Sequence, residues 1–243
     1  DGIEPAASLA DVAHRCNIIV LMVSDTPAVA NVLFGEDGMD GHLQPGSLII
    51  DMGTTAVAAT RDYAQRLAKR GVDYIDAPVS GGEIGAINGS LSIMAGGKDE
   101  VIDRSRPLFE VMGSFFNHIG EIGAGQVAKA ANQIIVGLNI GAVAEALALV
   151  IHAGVNPVKV REALMQGFAA SRILEVHGQR MIDNNFTPGG KATTQYKDLM
   201  QAIELGAAYN LDLPATRLNL SLYKTLIDNG GGNLDHSALI TLL

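Results

Sequence analysis

A single cysteine, Cys16, in 243 residues rules out any intrachain disulfide, and a reducing, cytosolic setting suits the chain best. Basic residues are outnumbered, 17 against 26 acidic ones for a formal charge of −9. No basic run and no interleaving of aromatic and basic residues occurs, which leaves a nucleic-acid backbone nothing to hold. The six histidines lie scattered without the spacing of metal ligands, so no metal is expected. The start lacks a charged segment followed by a short apolar one, and it lacks an initiator methionine; the sequence reads as beginning in the middle of something. What is abundant is apolar: 48% of the residues are hydrophobic, enough for one large core or two modest ones.

The apolar content concentrates between Gly120 and Gly154. From Gln126 to about His152 nothing but small glycines interrupts a helix, a rod of roughly 40 Å. Almost every face of it is apolar, which predicts a helix buried on all sides. Ile134–Ile151 approaches the length of a membrane span, but Asn139 and Glu145 interrupt it and no basic flank follows, so a span is rejected. Gly123-Ala124-Gly125-Gln126-Val127-Ala128 also fits a dinucleotide fingerprint, preceded by the strand-like Ser114–Ile119 and with Glu145 near the place of a ribose-binding acid. That reading fails on context, because more helix follows where the next parallel strand belongs. Lys129, with Asn132 and Gln133 at i+3 and i+4, puts one ammonium and two amides on one face near the helix start. Either Lys129 snorkels to water or it is a catalytic lysine, and the first turns of a helix disfavour a cation.

Before this helix, strands and helices alternate. Asn17–Met22 reads as a near-continuous apolar strand after a short helix end, and Pro27 opens a helix toward Phe34. Ser47–Asp51 is a second strand, after which Thr54 and Thr55 cap a helix over Ala56–Lys69. Val72–Ala77 and Ser90–Ala95 are strands flanking a glycine-rich loop, Asp99–Met112 is a helix and Phe115–Ile119 the last strand. Such alternation argues an α/β sheet with helices on its faces. After Gly120 the strands stop, and Pro157–Leu164, Arg172–Ile182, Tyr196–Tyr209, Pro214–Ile227 and Asp235–Leu242 read as helices. The domain boundary is placed at about residue 121, giving domains 1–121 and 122–243. The loop Asn184–Gln195, centred on Thr187-Pro188-Gly189-Gly190, reads as the mobile one.

Ligands of an open α/β sheet lie beyond the carboxyl ends of its strands. Three such ends carry small hydroxyl and glycine residues: Val23-Ser24-Asp25-Thr26, Met52-Gly53-Thr54-Thr55 and Pro78-Val79-Ser80-Gly81-Gly82. For Ser24 and Thr54 an anion nest and ordinary turn chemistry remain equally open. Two adjacent glycines after a buried strand cost more backbone entropy than a plain turn requires, so Ser80-Gly81-Gly82 suits a small carboxylate.

In this order and spacing, Asp76-Ala77-Pro78-Val79-Ser80-Gly81-Gly82, Gly120-x-x-Gly-Ala-Gly-x-x-x-Lys129-x-x-Asn132, Lys197-Asp198-Leu199 and Asp235-His236-Ser237-Ala238 resemble the β-hydroxyacid dehydrogenases. Asn132-Gln133 and the Asp-His-Ser-Ala run look more like the tartronate semialdehyde reductase branch than the 3-hydroxyisobutyrate dehydrogenases. The resemblance implies a Rossmann-type sheet joined by the long helix to an all-helical domain, with NAD or NADP as cofactor. It implies reduction of a small semialdehyde to a hydroxy acid. It further implies that Lys129 is the catalytic acid and base, that Ser80, Gly81 and Gly82 hold the substrate carboxylate with Asn132 beside it, and that Thr54 and Lys197 contact the cofactor.

Set against the family pattern, the first strand, the Gly-x-Gly-x-x-Gly loop and the following strand are expected to be missing, a start roughly 30–50 residues late. The end reads as clipped after Leu243, and Pro188-Gly189-Gly190 stands where the family has Pro-Gly-Phe. A homo-oligomer is expected from the long apolar helix, with neither nucleic acid nor membrane as partner. A 3-hydroxyisobutyrate or succinic semialdehyde enzyme with the same lysine, and a non-catalytic binding or assembly protein on the same fold, are the rival readings.

Overall fold

The structure, a computed structural model, describes residues 2–243. The chain forms two compact units, one ending at Lys129 and the other running from Ala130 to Leu243.

The first unit contains, in order, α1 (Leu9–Arg15), β1 (Ile18–Leu21), α2 (Thr26–Phe34), β2 (Leu48–Asp51), α3 (Val57–Ala68), β3 (Asp73–Asp76), β4 (Val79–Ser80), α4 (Gly82–Ile87), β5 (Leu91–Gly96), α5 (Asp99–Met112) and β6 (Gly113–Gly120). Strands β1, β2 and β3 pair in parallel, with Ile18 opposite Leu48 and Leu48 opposite Asp73. Successive residues of a strand face opposite sides, and both sides of this sheet are covered. Ile49 joins Leu21, Val29, Leu33, Tyr63 and Leu67 in one core. Its neighbours Leu48 and Ile50 join Ile75, Ile93, Ile102 and Phe109 in the other. That is why β2 is apolar without alternation.

Two local expectations are corrected. The glycine-rich loop after β3 holds β4 and the six-residue α4, and β5 then returns antiparallel to both β3 and β4. β4 follows β3 with only Ala77 and Pro78 between, and the ten residues 81–90 that join β4 to β5 fall short of the dozen or more that a parallel crossover needs. Thr54 and Thr55 do not cap α3. Its N-cap is Ala56, without a side-chain bond, and Thr55 Oγ1 donates to Asp51 Oδ2 at 2.6 Å instead.

The helix α6 (Ala124–His152) starts in the first unit and continues into the second, which also holds α7 (Pro157–Leu164), α8 (Arg172–Ile182), α9 (Ala192–Ala208), α10 (Pro214–Asp228) and a C-terminal 3-10 segment His236–Leu242. Asn156 and Ser171 cap α7 and α8 through their side chains. The core of this unit gathers Ile140, Val143, Ala144 and Leu147 of α6 with Leu174, Met181, Leu199, Tyr223 and Leu239. The expected all-round burial of α6 is not found: Ile135 is 62% and Leu149 72% exposed, because its partner helices cover one side of it. The segment expected to be mobile is fastened to the C-terminal stretch. Asp235 N donates to Phe186 O, His236 N to Gly190 O and Ala192 N to Leu234 O, all within 2.9 Å.

Candidate active site

Strands β2 and β3 each end on a buried aspartate, and the two carboxylates organise the loops that follow. Asp51 accepts from Gly53 N at 3.0 Å, Thr55 Oγ1 and, at 2.9 Å, the Tyr74 hydroxyl. This folds Met52–Thr55 tightly over the strand end. A Cβ on Gly53 would lie 3.0 Å from the Val23 carbonyl oxygen and 3.2 Å from Asp51 Oδ1, so only glycine fits comfortably where the ends of β1 and β2 run side by side. Thr54, half-buried between these committed neighbours, is the hydroxyl of the loop that remains available.

Asp76 takes the backbone N–H groups that open α6. Oδ1 accepts from Gly123 N at 2.7 Å and Oδ2 from Gln126 N at 2.9 Å, so a carboxylate from a strand caps a helix lying 47 or more residues further along the chain. Burial pushes the Asp76 carboxyl up to about 7, against these two donors, which favour its charge. Gly125 permits the close approach: a Cβ there would stand 2.3 Å from Met94 O and 2.7 Å from Asp76 O. The glycines of the rejected fingerprint thus serve packing.

The Gln126 side chain bridges back to the β2 loop, accepting from Thr55 N at 3.1 Å and donating to Gly53 O at 2.9 Å. One turn later Lys129 is only 8% exposed, and its Nζ donates to Val79 O at 2.8 Å. The ammonium therefore ends on a backbone carbonyl, immediately before Ser80-Gly81-Gly82. Gly81 (φ +135°) and Gly82 (φ +61°) adopt conformations that L side chains rarely take, which explains the adjacent pair. Lys129, Ser80, Gly81 and Gly82 accordingly form one neighbourhood in the first unit, tied to the Thr54 loop through Gln126.

The two remaining predicted residues meet in the second unit. Asn132 Nδ2 donates to Gln133 Oε1 at 2.7 Å, Gln133 Nε2 donates to Asp198 Oδ2 at 2.6 Å, and Lys197 Nζ pairs with Asp198 Oδ1 at 3.2 Å. Gln195 joins this chain through Gln133 O. Asn132 and Lys197 are thus the two ends of one polar relay. Asp51, Asp76, Gln126 and Gln195 escaped sequence reasoning; for the aspartates the available signal was a charge closing the apolar runs Leu48–Asp51 and Tyr74–Asp76.

Two family models account for the chain. The NAD binding domain of 6-phosphogluconate dehydrogenase matches residues 1–123, and the NAD-binding domain of NADP-dependent 3-hydroxyisobutyrate dehydrogenase matches residues 123–243. Among curated relatives, 2-hydroxy-3-oxopropionate reductase of Escherichia coli is 50% identical over 232 residues, 96% of this chain and 80% of that protein. NAD-dependent L-serine dehydrogenase of Pseudomonas aeruginosa is 33% identical over 98% of this chain and 82% of its own length. Of solved structures, 3-hydroxyisobutyrate dehydrogenase from Salmonella typhimurium superposes with a TM-score of 0.89 at 29% identity, covering 98% of this chain and 83% of that one. The Mycobacterium tuberculosis 3-hydroxyisobutyrate dehydrogenase with L-serine gives 0.85 at 27% identity, with 97% and 82% covered.

Proposed function

The chain belongs to the β-hydroxyacid dehydrogenases, NAD- or NADP-dependent oxidoreductases acting on small hydroxy acids, and from that premise we propose that it reduces tartronate semialdehyde (2-hydroxy-3-oxopropanoate) to glycerate. The observation that carries the chemistry is the nearly buried Lys129 ammonium, held 2.8 Å from Val79 O at the entrance to the Ser80-Gly81-Gly82 turn. The relative named for this reaction, at 50% identity, supports the choice of substrate.

The roles follow from the groups each residue offers. Ser80 Oγ–H and the N–H groups of Gly81 and Gly82 hold the substrate carboxylate, as glycines that leave the backbone bare allow. An ammonium has three donors, so Lys129 keeps Val79 O and still reaches a substrate oxygen. As the aldehyde oxygen gains charge, Lys129 stabilises it and delivers a proton to it; in the reverse direction it helps remove the hydroxyl proton. Asn132, one turn further along α6, hydrogen-bonds the substrate beside Lys129. The tight Gly53 turn and the Thr54 hydroxyl at the carboxyl ends of β1 and β2 fit a nicotinamide cofactor in the first unit, and Lys197 is proposed as a further residue that contacts the cofactor. When bound, that cofactor supplies the hydride.

Initial rates of reduction of tartronate semialdehyde, succinic semialdehyde and methylmalonate semialdehyde, the aldehyde of 3-hydroxyisobutyrate, test the substrate. The largest kcat/KM is expected for tartronate semialdehyde, and a larger value for either competitor overturns that choice while leaving the family chemistry standing. We also propose a homo-oligomer, supported by the exposed Ile135, Leu149 and Ile151 on α6. Leu149→Lys is expected to lower the mass found by sedimentation, and an unchanged mass would place any interface elsewhere.

A further inference from the structure

Among the described residues, one group of three side chains brings metal-ligating atoms within 4.8 Å of one another: His177 on α8 with Asp235 and His236 at the C-terminal segment. It lies wholly in the second unit and takes no part in the proposed chemistry. His177 Nε2 and His236 Nε2 stand 3.3 Å apart although 59 residues separate them, with the rings nearly perpendicular at 81° and centroids 4.6 Å apart.

We propose that His177 and His236 bind a late first-row divalent cation, of which Zn2+ is the type, through their two Nε2 atoms. An ion with bonds of about 2.0–2.1 Å to nitrogen in tetrahedral geometry sets its ligands about 3.3 Å from each other, the separation seen. Behind His177, the Nδ1 atom faces Asp235 Oδ1 at 3.4 Å and is buried without a hydrogen bond. A cation on Nε2 makes the Nδ1–H a stronger donor and draws it onto the carboxylate, the arrangement that orients most metal-bound histidines.

Asp235 is itself no ligand. Its Oδ1 accepts from Ser237 N and Oγ, its Oδ2 from Gly189 N and Gly190 N, and Arg180 lies 3.3 Å from Oδ2. The carboxylate is fixed as a backing group, and its charge is offset by Arg180. Two imidazoles therefore supply the protein's share of the binding, and water fills the remaining positions through the part-exposed His177 side. Gly190 lets the backbone lie against the His236 imidazole, since a Cβ there would rest 3.3 Å from His236 Cε1 and 3.5 Å from its Nε2. The ion would tie α8 to the 3-10 segment that also clasps Phe186–Ala192.

Tag-free protein dialysed against Zn2+ is expected to retain one equivalent per chain and to melt at a temperature that rises with free Zn2+. Co2+ in its place should give the intense visible bands of a tetrahedral ion. His177→Gln and His236→Gln should each lose the retained ion and the thermal shift. In the unmutated protein, Zn2+ should move the imidazole nitrogen resonances of these two histidines first, a reading that survives if either variant folds poorly. No retained ion, retention undiminished in both variants, or resonances moving at other histidines would overturn the site and leave a direct imidazole–imidazole hydrogen bond.

Discussion

At the scale of single residues, Asp76 contributes a pH dependence to the enzyme's stability. Its carboxyl is raised by burial from 3.8 to about 7. Between those values the folded chain holds a proton that the unfolded chain has released, so stability contributed by this group is full below about pH 4 and declines until about pH 7. A shift of this size corresponds to a few kcal/mol, on the order of 1.4 per unit. Denaturant unfolding of wild type and Asp76→Asn across pH 4–8 measures it: the wild type should lose stability relative to the variant as pH rises. Parallel curves would show that the N–H donors of Gly123 and Gln126 keep Asp76 ionised throughout. The packing roles of Gly53 and Gly125 and the pairing of Asp76 with residues of α6 were invisible in sequence, because each depends on a contact about 30 to 50 positions away.

At the scale of elements, the start of α6 is the joint of the first unit, and Gln126 is its peg. Gln126→Leu leaves Thr55 N–H and Gly53 C=O buried without the partners they have in Gln126, at a cost of about 1–3 kcal/mol for each. It should also raise the KM for the cofactor more than it lowers kcat, since the Thr54 loop loses its support while Lys129 keeps its own. Stability and steady-state kinetics check both; an unchanged cofactor KM would detach the loop from cofactor binding. The elements themselves were largely legible. α5, α7 and α8 have the limits that proline, serine and the apolar periodicity predict. The β4–α4 excursion was not, since glycines at positive φ leave no periodic trace. Nor was the clasp on Phe186–Ala192, whose Pro-Gly-Gly composition suggests a loose loop until Asp235 is seen holding Gly189 and Gly190. The histidine pair escaped for the same reason, with neighbours in space 59 residues apart in sequence.

At the scale of the whole molecule, the sequence motifs carried the family, and the structure adds which residues support them: Asp51, Asp76 and Gln126 behind Lys129 and Thr54, and Gln133, Gln195 and Asp198 between Asn132 and Lys197. Both sets surround groups that the proposed reduction needs. The most direct measurement is therefore oxidation of NADH and of NADPH with tartronate semialdehyde by the wild type and by Lys129→Ala, with circular dichroism to verify folding. Turnover with at least one cofactor, falling about 10²–10⁴-fold in the folded variant with little change in cofactor KM, is the predicted result. Turnover that survives the loss of the lysine would contradict its role.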